Sequence, residues 1–561
     1  MFGLNPIDVV IIAAYFGITI YVGLRAKSAV KSSGDYFMGG RSFGKIMMVA
    51  QAFGAGTRTD QVVAVVGASY QVGLAGIWYQ WLYIFATPFF WIIAPIYRRL
   101  RYITIGDFFE QRYSVSMSAA YAVAGLCYFA VEIGIILKGT GVTISAITNG
   151  AITTEATVAL MVAFFLSYSL VGGLAASAGT KLVQGLLILV LSFLLIPFAL
   201  SAAGGLAAVR EKLPDEMFSL VAPNEVTLFF IVMSVINGLV GIVVYPHHMA
   251  INGAGKTEES CRSGWTFGTF IKRFATLGWA FTGVLLAAIF SELPNREQAF
   301  GAAVQRLLPV GFTGLMIAAM VAAVVSACDA YMIAGSALFT RNFYQKFFNQ
   351  ELSESESLRV ARLSSVGIVA LGVTVALLIP SVVEGLKLVW KIMAFLGIAF
   401  WMGVIWRRAN AVGAWVSVIV TASASFITGA MEWSLEYQAA LYLPLGFLSL
   451  IAASLLTKPE SEKKLNDFYT LLHTPVGEEY KLKEAGIAVM LAGDSVAATN
   501  AVKTESLEDN GHGLLLVDLL SLSKTFSLKR YRVDVQGFAL GTLAVIGIIG
   551  LALLTAQLGR A

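Results

Sequence analysis

Residues 54–61 read Gly54-Ala55-Gly56-Thr57-Arg58-Thr59-Asp60-Gln61, in the middle of an apolar stretch at about 46–69. Two glycines, two threonines and two opposite charges are poor material for a continuous lipid-facing helix, where an unpaired ionisable group is costly. They suit a helix broken inside the membrane, its freed carbonyls and half-helix ends facing an internal site. A local Arg58–Asp60 pair in a packed kink is the plainer alternative. A matching interruption is expected at Asn237-Gly238 and Gly241, five spans later. Five-plus-five spacing is what an inverted repeat produces.

Composition agrees with a membrane location. Of 561 residues, 57% are hydrophobic and 13% charged, about half the roughly 25% charge of soluble domains, and the mean hydropathy is +0.76. A soluble enzyme or a nucleic-acid binder is excluded, because so much apolar surface has no place in water. Cys127, Cys261 and Cys328 form no disulfide framework. The start, Met1 to Asp8, lacks the basic region and cleavage site of a signal peptide, so the first apolar stretch is expected to be retained.

A span needs roughly 20 mainly apolar residues. Fourteen candidates fall near 7–25, 46–69, 75–97, 116–146, 154–173, 182–203, 225–246, 268–291, 311–338, 360–380, 384–406, 409–430, 438–456 and 535–558. With both termini extracytoplasmic, the cytoplasmic loops collect most of the Lys and Arg, among them Arg98, Arg99, Arg101, Arg112, Lys272, Arg273, Arg407 and Arg408. The opposite side holds Arg210, Lys212, Arg296 and Arg306, which fits the rule that cytoplasmic loops are basic. The polar stretch 457–534 is then cytoplasmic. It reads as an interfacial amphipathic lead-in to the last helix or as a docking surface for a protein partner. The aromatic third span, with Trp78, Tyr79, Trp81, Tyr83 and Trp91, reads as lipid-facing bulk and interfacial belt.

Four histidines (His247, His248, His473, His512) form no close cluster with cysteine, and no nucleotide loop, nucleophile elbow or paired-carboxylate spacing occurs. Catalytic residues, a cofactor and a resident metal site are not expected. The chemistry lies in ionisable residues inside the spans.

Several motifs carry a resemblance. Asp35-Tyr36-Phe37-Met38-Gly39-Gly40-Arg41, Thr104 through Tyr113, Gly172-Gly173-Leu174-Ala175-Ala176 with Thr180 and Gln184, Tyr245-Pro246-His247, and Trp406-Arg407-Arg408-Ala409-Asn410 stand in this order. Together they resemble the sodium:solute symporter family over nearly the whole chain. The resemblance implies an all-α, LeuT-like five-plus-five inverted repeat. Its ten-helix core would span 46–406, after a first helix and loop at 1–45. Accessory helices at 407–456, the polar segment at 457–534 and a last helix at 535–561 would follow.

The resemblance also implies ion sites, and here the residues depart from the pattern. One sodium would lie between Gly54 and Thr57 on one side and Ala323, Ser326 and Ala327 on the other. A hydroxyl is usual where Ala327 stands, and a methyl supplies no oxygen to a hard cation. Arg58, a permanent cation, stands beside the carbonyls and could substitute for the ion. At a second family site an Asp is replaced by Lys181, and a serine position carries Asp329. A Lys181–Asp329 pair would hold two helices as a bound sodium does elsewhere; alternatively Lys181 snorkels to the interface while Asp329 caps locally. By the same carry-over Asp60 and Gln61 are solute contacts, and Glu132 and Asn237 are further candidates.

The expected function is secondary transport of a small polar solute, with Arg58 suggesting an anionic group and with sodium dependence in question. Sodium is the one coupling ion the resemblance names. The rival is a transporter-derived protein that no longer transports, a sensor or structural subunit docked through 457–534. The expected partners are the solute and the bilayer, with no nucleic acid.

Overall fold

The computed structural model describes residues 4–25, 41–293, 295–487, 513–521, 527–557 and 559, with side chains described except at 22–25 and 167–182. Among them the chain is helical, with two isolated β-bridges, Phe43–Gly255 and Ala222–Val226. Among the described residues ten helices are long and apolar enough to cross a membrane, or eleven if the bent pair Leu228–Ile242 and His247–Gly253 is one span.

The order begins with α1 (Pro6–Arg25), α2 (Lys45–Gly56), α3 (Thr59–Val72), α4 (Thr87–Leu100), α5 (Ile105–Arg112), α6 (Val115–Ile147) and α7 (Thr154–Phe193). It continues with α8 (Leu195–Ala203), α9 (Leu228–Ile242), α10 (His247–Gly253), α11 (Glu258–Ala287), α12 (Phe312–Leu338), α13 (Glu354–Leu378) and α14 (Val382–Ile405). The last are α15 (Ala411–Ala430), α16 (Leu435–Leu456), α17 (Glu462–His473) and α18 (Arg532–Gln557).

The first expected break is present. Thr57 (φ −118°, ψ 122°) and Arg58 (φ −138°, ψ 157°) are extended between α2 and α3. The second lies later than expected. Asn237, Gly238 and Gly241 stay helical within α9, and the chain turns by 62° between α9 and α10. Pro246 stands at that turn; lacking an N–H, it cannot continue the ladder.

The segments 154–173 and 182–203 are joined by residues that are helical throughout, α7 being 40 residues long; Thr154 abuts Gly141 of α6, and α8 packs on the short helix Ala299–Leu307, whose Gly301 abuts Thr143. Two other expectations are corrected. The span at 268–291 begins ten residues earlier as α11, its N-cap Thr257 accepting from the Ser260 amide. Lys272 and Arg273 are thus buried in mid-helix and do not belong to a loop. In the aromatic third span Trp78, Tyr79, Trp81, Tyr83 and Phe90 are buried. The Trp78 and Trp81 indoles donate to the carbonyls of Leu220 and Arg273, so most of this span faces protein and not lipid.

Asp8 of α1 and Ala556 of α18 lie at one end of the bundle. Asp8 accepts from the amides of Gly311 and Gly314, both at 2.8 Å, and Arg210 donates to the Ala556 carbonyl at 2.7 Å. The arginine-rich end is covered by the polar segment. Arg99 holds Glu258 through two 2.9 Å contacts, and Arg101 reaches Glu479 at 3.0 Å and the Pro475 carbonyl at 2.8 Å. Leu465, Phe468, Tyr469, Leu471 and Leu472 of α17 are buried, and the Tyr469 hydroxyl donates to Gly403. The apolar face of α17 is therefore spent on the chain's own helices; residues 488–512 lie outside those described.

Residues 513–521 are pinned by Asp518, which accepts from Tyr531 at 2.7 Å, Arg530 at 3.1 Å and His473 at 3.1 Å. Burial opposes its ionisation. The hydrogen bonds from His473 and Tyr531 and the charge of Arg530 nonetheless hold the carboxyl below the usual carboxylate range. A depressed folded-state pKa stabilises above the unfolded value, about 3.9 for Asp, and that contribution fades as pH falls through the folded value. Hydrogen exchange at 513–521 is expected to accelerate below about pH 4 and, in Asp518→Asn, to be faster at neutral pH.

Candidate solute and coupling site

Close helix packing aims a set of side chains at the α2–α3 break. Gly264 and Gly268 of α11 face α2 so closely that a Cβ on Gly268 would lie 2.9 Å from the Val49 carbonyl oxygen. Residues four apart share a helix face, so Lys272, one turn on, points at the break. The same logic holds on α6. Gly139 abuts Asp60, with 3.1 Å between a would-be Cβ and the Asp60 Cα; Glu132, two turns earlier, looks at the same place. On α12, Ala323, Ala327 and Tyr331 are spaced by four, and the Thr59 hydroxyl of the break donates to the Met320 carbonyl at 3.1 Å.

These side chains enclose a cavity of about 70 Å3. Its walls include Arg58, Gln61, Gln80, Tyr83, Tyr128, Glu132, Tyr245, His247, His248, Trp265, Lys272, Arg273, Tyr331 and Trp390. Arg58 is fully committed. Its Nε and Nη2 donate to Asp60 at 3.0 and 2.9 Å, and Nη1 lies 2.6 Å from both the Tyr331 hydroxyl and Glu132 Oε2. Two carboxylates, each at most 2% exposed, thus flank one guanidinium. Arg58, expected to meet a solute anion or to fill the ion site, is held here by the neighbouring carboxylate in bidentate fork geometry.

Like Arg273, Lys272 is buried with no carboxylate within salt-bridge distance among the described residues. Arg273 beside it donates to the Gln80 carbonyl at 2.9 Å and stacks over Tyr83. Around the cavity three basic side chains, Arg58, Lys272 and Arg273, face two carboxylates, Asp60 and Glu132.

The remaining sequence candidates divide. Gln61 lines the cavity with its Oε1 unpartnered. Asp60 lies behind Arg58. Asn237 is not brought to the cavity; its amide accepts from Tyr442 at 2.6 Å and donates to the Trp390 carbonyl at 3.2 Å. Gly54 and Thr57 end α2 with the Thr57 hydroxyl buried and unpartnered. Ala323, Ser326 and Ala327 are buried in α12, which packs on α2. Asp329 is also buried there, but the Lys181 side chain, and with it the expected pair, lies outside the described residues. Sequence reasoning passed over Lys272, Tyr331 and Trp265, although the Gly264, Gly268, Lys272 spacing carried the signal for the first.

A model of the sodium:solute symporter family matches residues 36–421, well over half of the chain. The chain belongs to the sodium:solute symporter family. Among relatives, a sodium/glucose cotransporter of Vibrio parahaemolyticus is 23% identical over 87% of this chain and 98% of its own length. The osmoregulated proline transporter OpuE of Bacillus subtilis is 26% identical over 81% and 95%. A sodium/pantothenate symporter of Escherichia coli is 24% identical over 72% and 86%. The solved structure of a Na+-coupled sialic acid symporter, substrate-bound and outward-open, is similar with a TM-score of 0.72 at 17% identity, over 82% of this chain and 99% of that one. The fold is therefore a LeuT-like bundle, and the family consists of membrane transporters rather than enzymes. The α2–α3 and α9–α10 breaks are its two discontinuous helices.

Proposed function

We propose that this family member is a secondary active transporter of a small anionic solute, a carboxylate by chemical class, bound in the cavity beside the α2–α3 break. The observation that carries the reading is Lys272. A buried ammonium without a counter-ion is costly, and a solute carboxylate supplies that counter-ion only when bound. Gln61 and the rings of Tyr245 and Trp265 offer polar and aromatic contacts to the rest of the solute.

Coupling through sodium at the first family site is not part of this reading. Ala327 removes an oxygen from that site. In the membrane, the arginine-rich end with residues 462–487 faces the cytoplasm and both chain ends lie outside, as the distribution of Lys and Arg favours.

Uptake into proteoliposomes from a panel of carboxylates, amino acids and neutral sugars tests the reading. A carboxylate is expected to accumulate, and to do so equally when sodium is replaced by choline. Uptake confined to sugars, or abolished without sodium, would overturn it.

A further inference from the structure

Two buried carboxylates around a single guanidinium leave the group with one negative charge too many when both are ionised. Asp60 holds Arg58 through two aligned hydrogen bonds. Glu132 has a single point of contact: its Oε2 lies 2.6 Å from Nη1, a nitrogen that also donates to the Tyr331 hydroxyl.

We propose that Glu132 is a proton-binding site, at which this carrier takes up and releases the proton that is coupled to solute movement. The inference rests on the transporter reading. A proton from water reaching the cavity adds to Glu132 Oε2 and makes the Arg58–Asp60–Glu132 group neutral; its return to water restores the negative charge. The charged form tightens the tie between α6 and the α2–α3 break, and the neutral form loosens it. Proton binding and helix movement are thereby linked through one residue.

The groups facing Glu132 fit this role. Arg58 and Asp60 reach it from the break, Tyr331 from α12, and Tyr128 from its own helix one turn away. Across the cavity stand Tyr83, Tyr245, His247, Lys272 and Arg273. α13 and α14 bring Gly372, Val375 and Leu386 to this level, none of which titrates. A solute carboxylate arriving at Lys272 adds a negative charge near Glu132 and so favours its protonation, while a protonated Glu132 favours the solute. That reciprocity is required of any coupled pair of sites.

Infrared difference spectroscopy on the full-length protein in sodium-free detergent, titrated from about pH 9 to about pH 5, tests the proposal without a solute. A band of a buried protonated carboxyl is expected to grow as pH falls. It should be lost in Glu132→Gln and displaced in Glu132→Asp. It should be driven to lower pH in Asp60→Asn, where the guanidinium serves Glu132 alone. No such band in the unmodified protein, a band of unchanged amplitude in Glu132→Gln, or one unmoved in Glu132→Asp would overturn it. The titration reads the proton whether or not a solute moves, so its failure is distinguishable from failure of the uptake experiment.

Discussion

Lys272→Gln is expected to weaken the apparent affinity for a transported carboxylate by about 100-fold or more. A carboxylate held about 4 Å from an ammonium gains on the order of 4 kcal/mol at an effective dielectric of 20, and each 1.4 kcal/mol is about tenfold. Removing one member of a desolvated charge pair costs about 2–5 kcal/mol in comparable complexes. Glutamine keeps much of the length and the hydrogen-bonding capacity, so the loss reports the charge. Lys272→Arg should recover part of it, less than fully, because a planar fork does not replace a compact ammonium. Uptake kinetics of the two variants over a range of solute concentration give the comparison, and an unchanged KM in Lys272→Gln would remove Lys272 from the site.

Arg58→Ala is expected to destabilise the folded protein by about 3–5 kcal/mol, the usual effect of stranding a buried charge. Two charges are stranded here, since Asp60 is 0% and Glu132 2% exposed. Arg58→Lys should be intermediate, because one ammonium cannot reproduce the two-point contact with Asp60. Adding Asp60→Asn to Arg58→Ala should restore part of the loss by removing one of the stranded anions. Thermal unfolding in detergent, followed by tryptophan fluorescence, reads all three. An Arg58→Ala protein as stable as the unmodified one would mean that the guanidinium does not neutralise this pair.

The broken helix was legible because its residue types conflict with lipid: glycine, threonine and opposite charges at 54–61 have no use on an apolar surface. The family motifs were legible because they keep their order. What escaped was direction. Arg58, read from its neighbours in sequence, invites an anionic solute; in three dimensions α6 delivers a second carboxylate, Glu132, from 74 positions away. Nothing in local sequence announces that meeting. Lys272 was misplaced for a different reason. The first turns of α11 are polar because they face protein, with Arg262 paired to Asp534 and Glu258 to Arg99, so a search for apolar length starts the span too late. The pseudo-symmetric break was expected at Asn237-Gly238 on composition. Pro246 decides it, while Gly241 serves instead to let α14 pass within 3.1 Å of a would-be Cβ.

The position of the solute tests the account most directly. A cryo-electron microscopy structure with the best-transported carboxylate bound is predicted to show its carboxyl group in hydrogen-bond contact with Lys272 Nζ, with Arg58 still held by Asp60. A carboxylate seated on Arg58 with Asp60 turned away, or a solute bound without contact to Lys272, would contradict it.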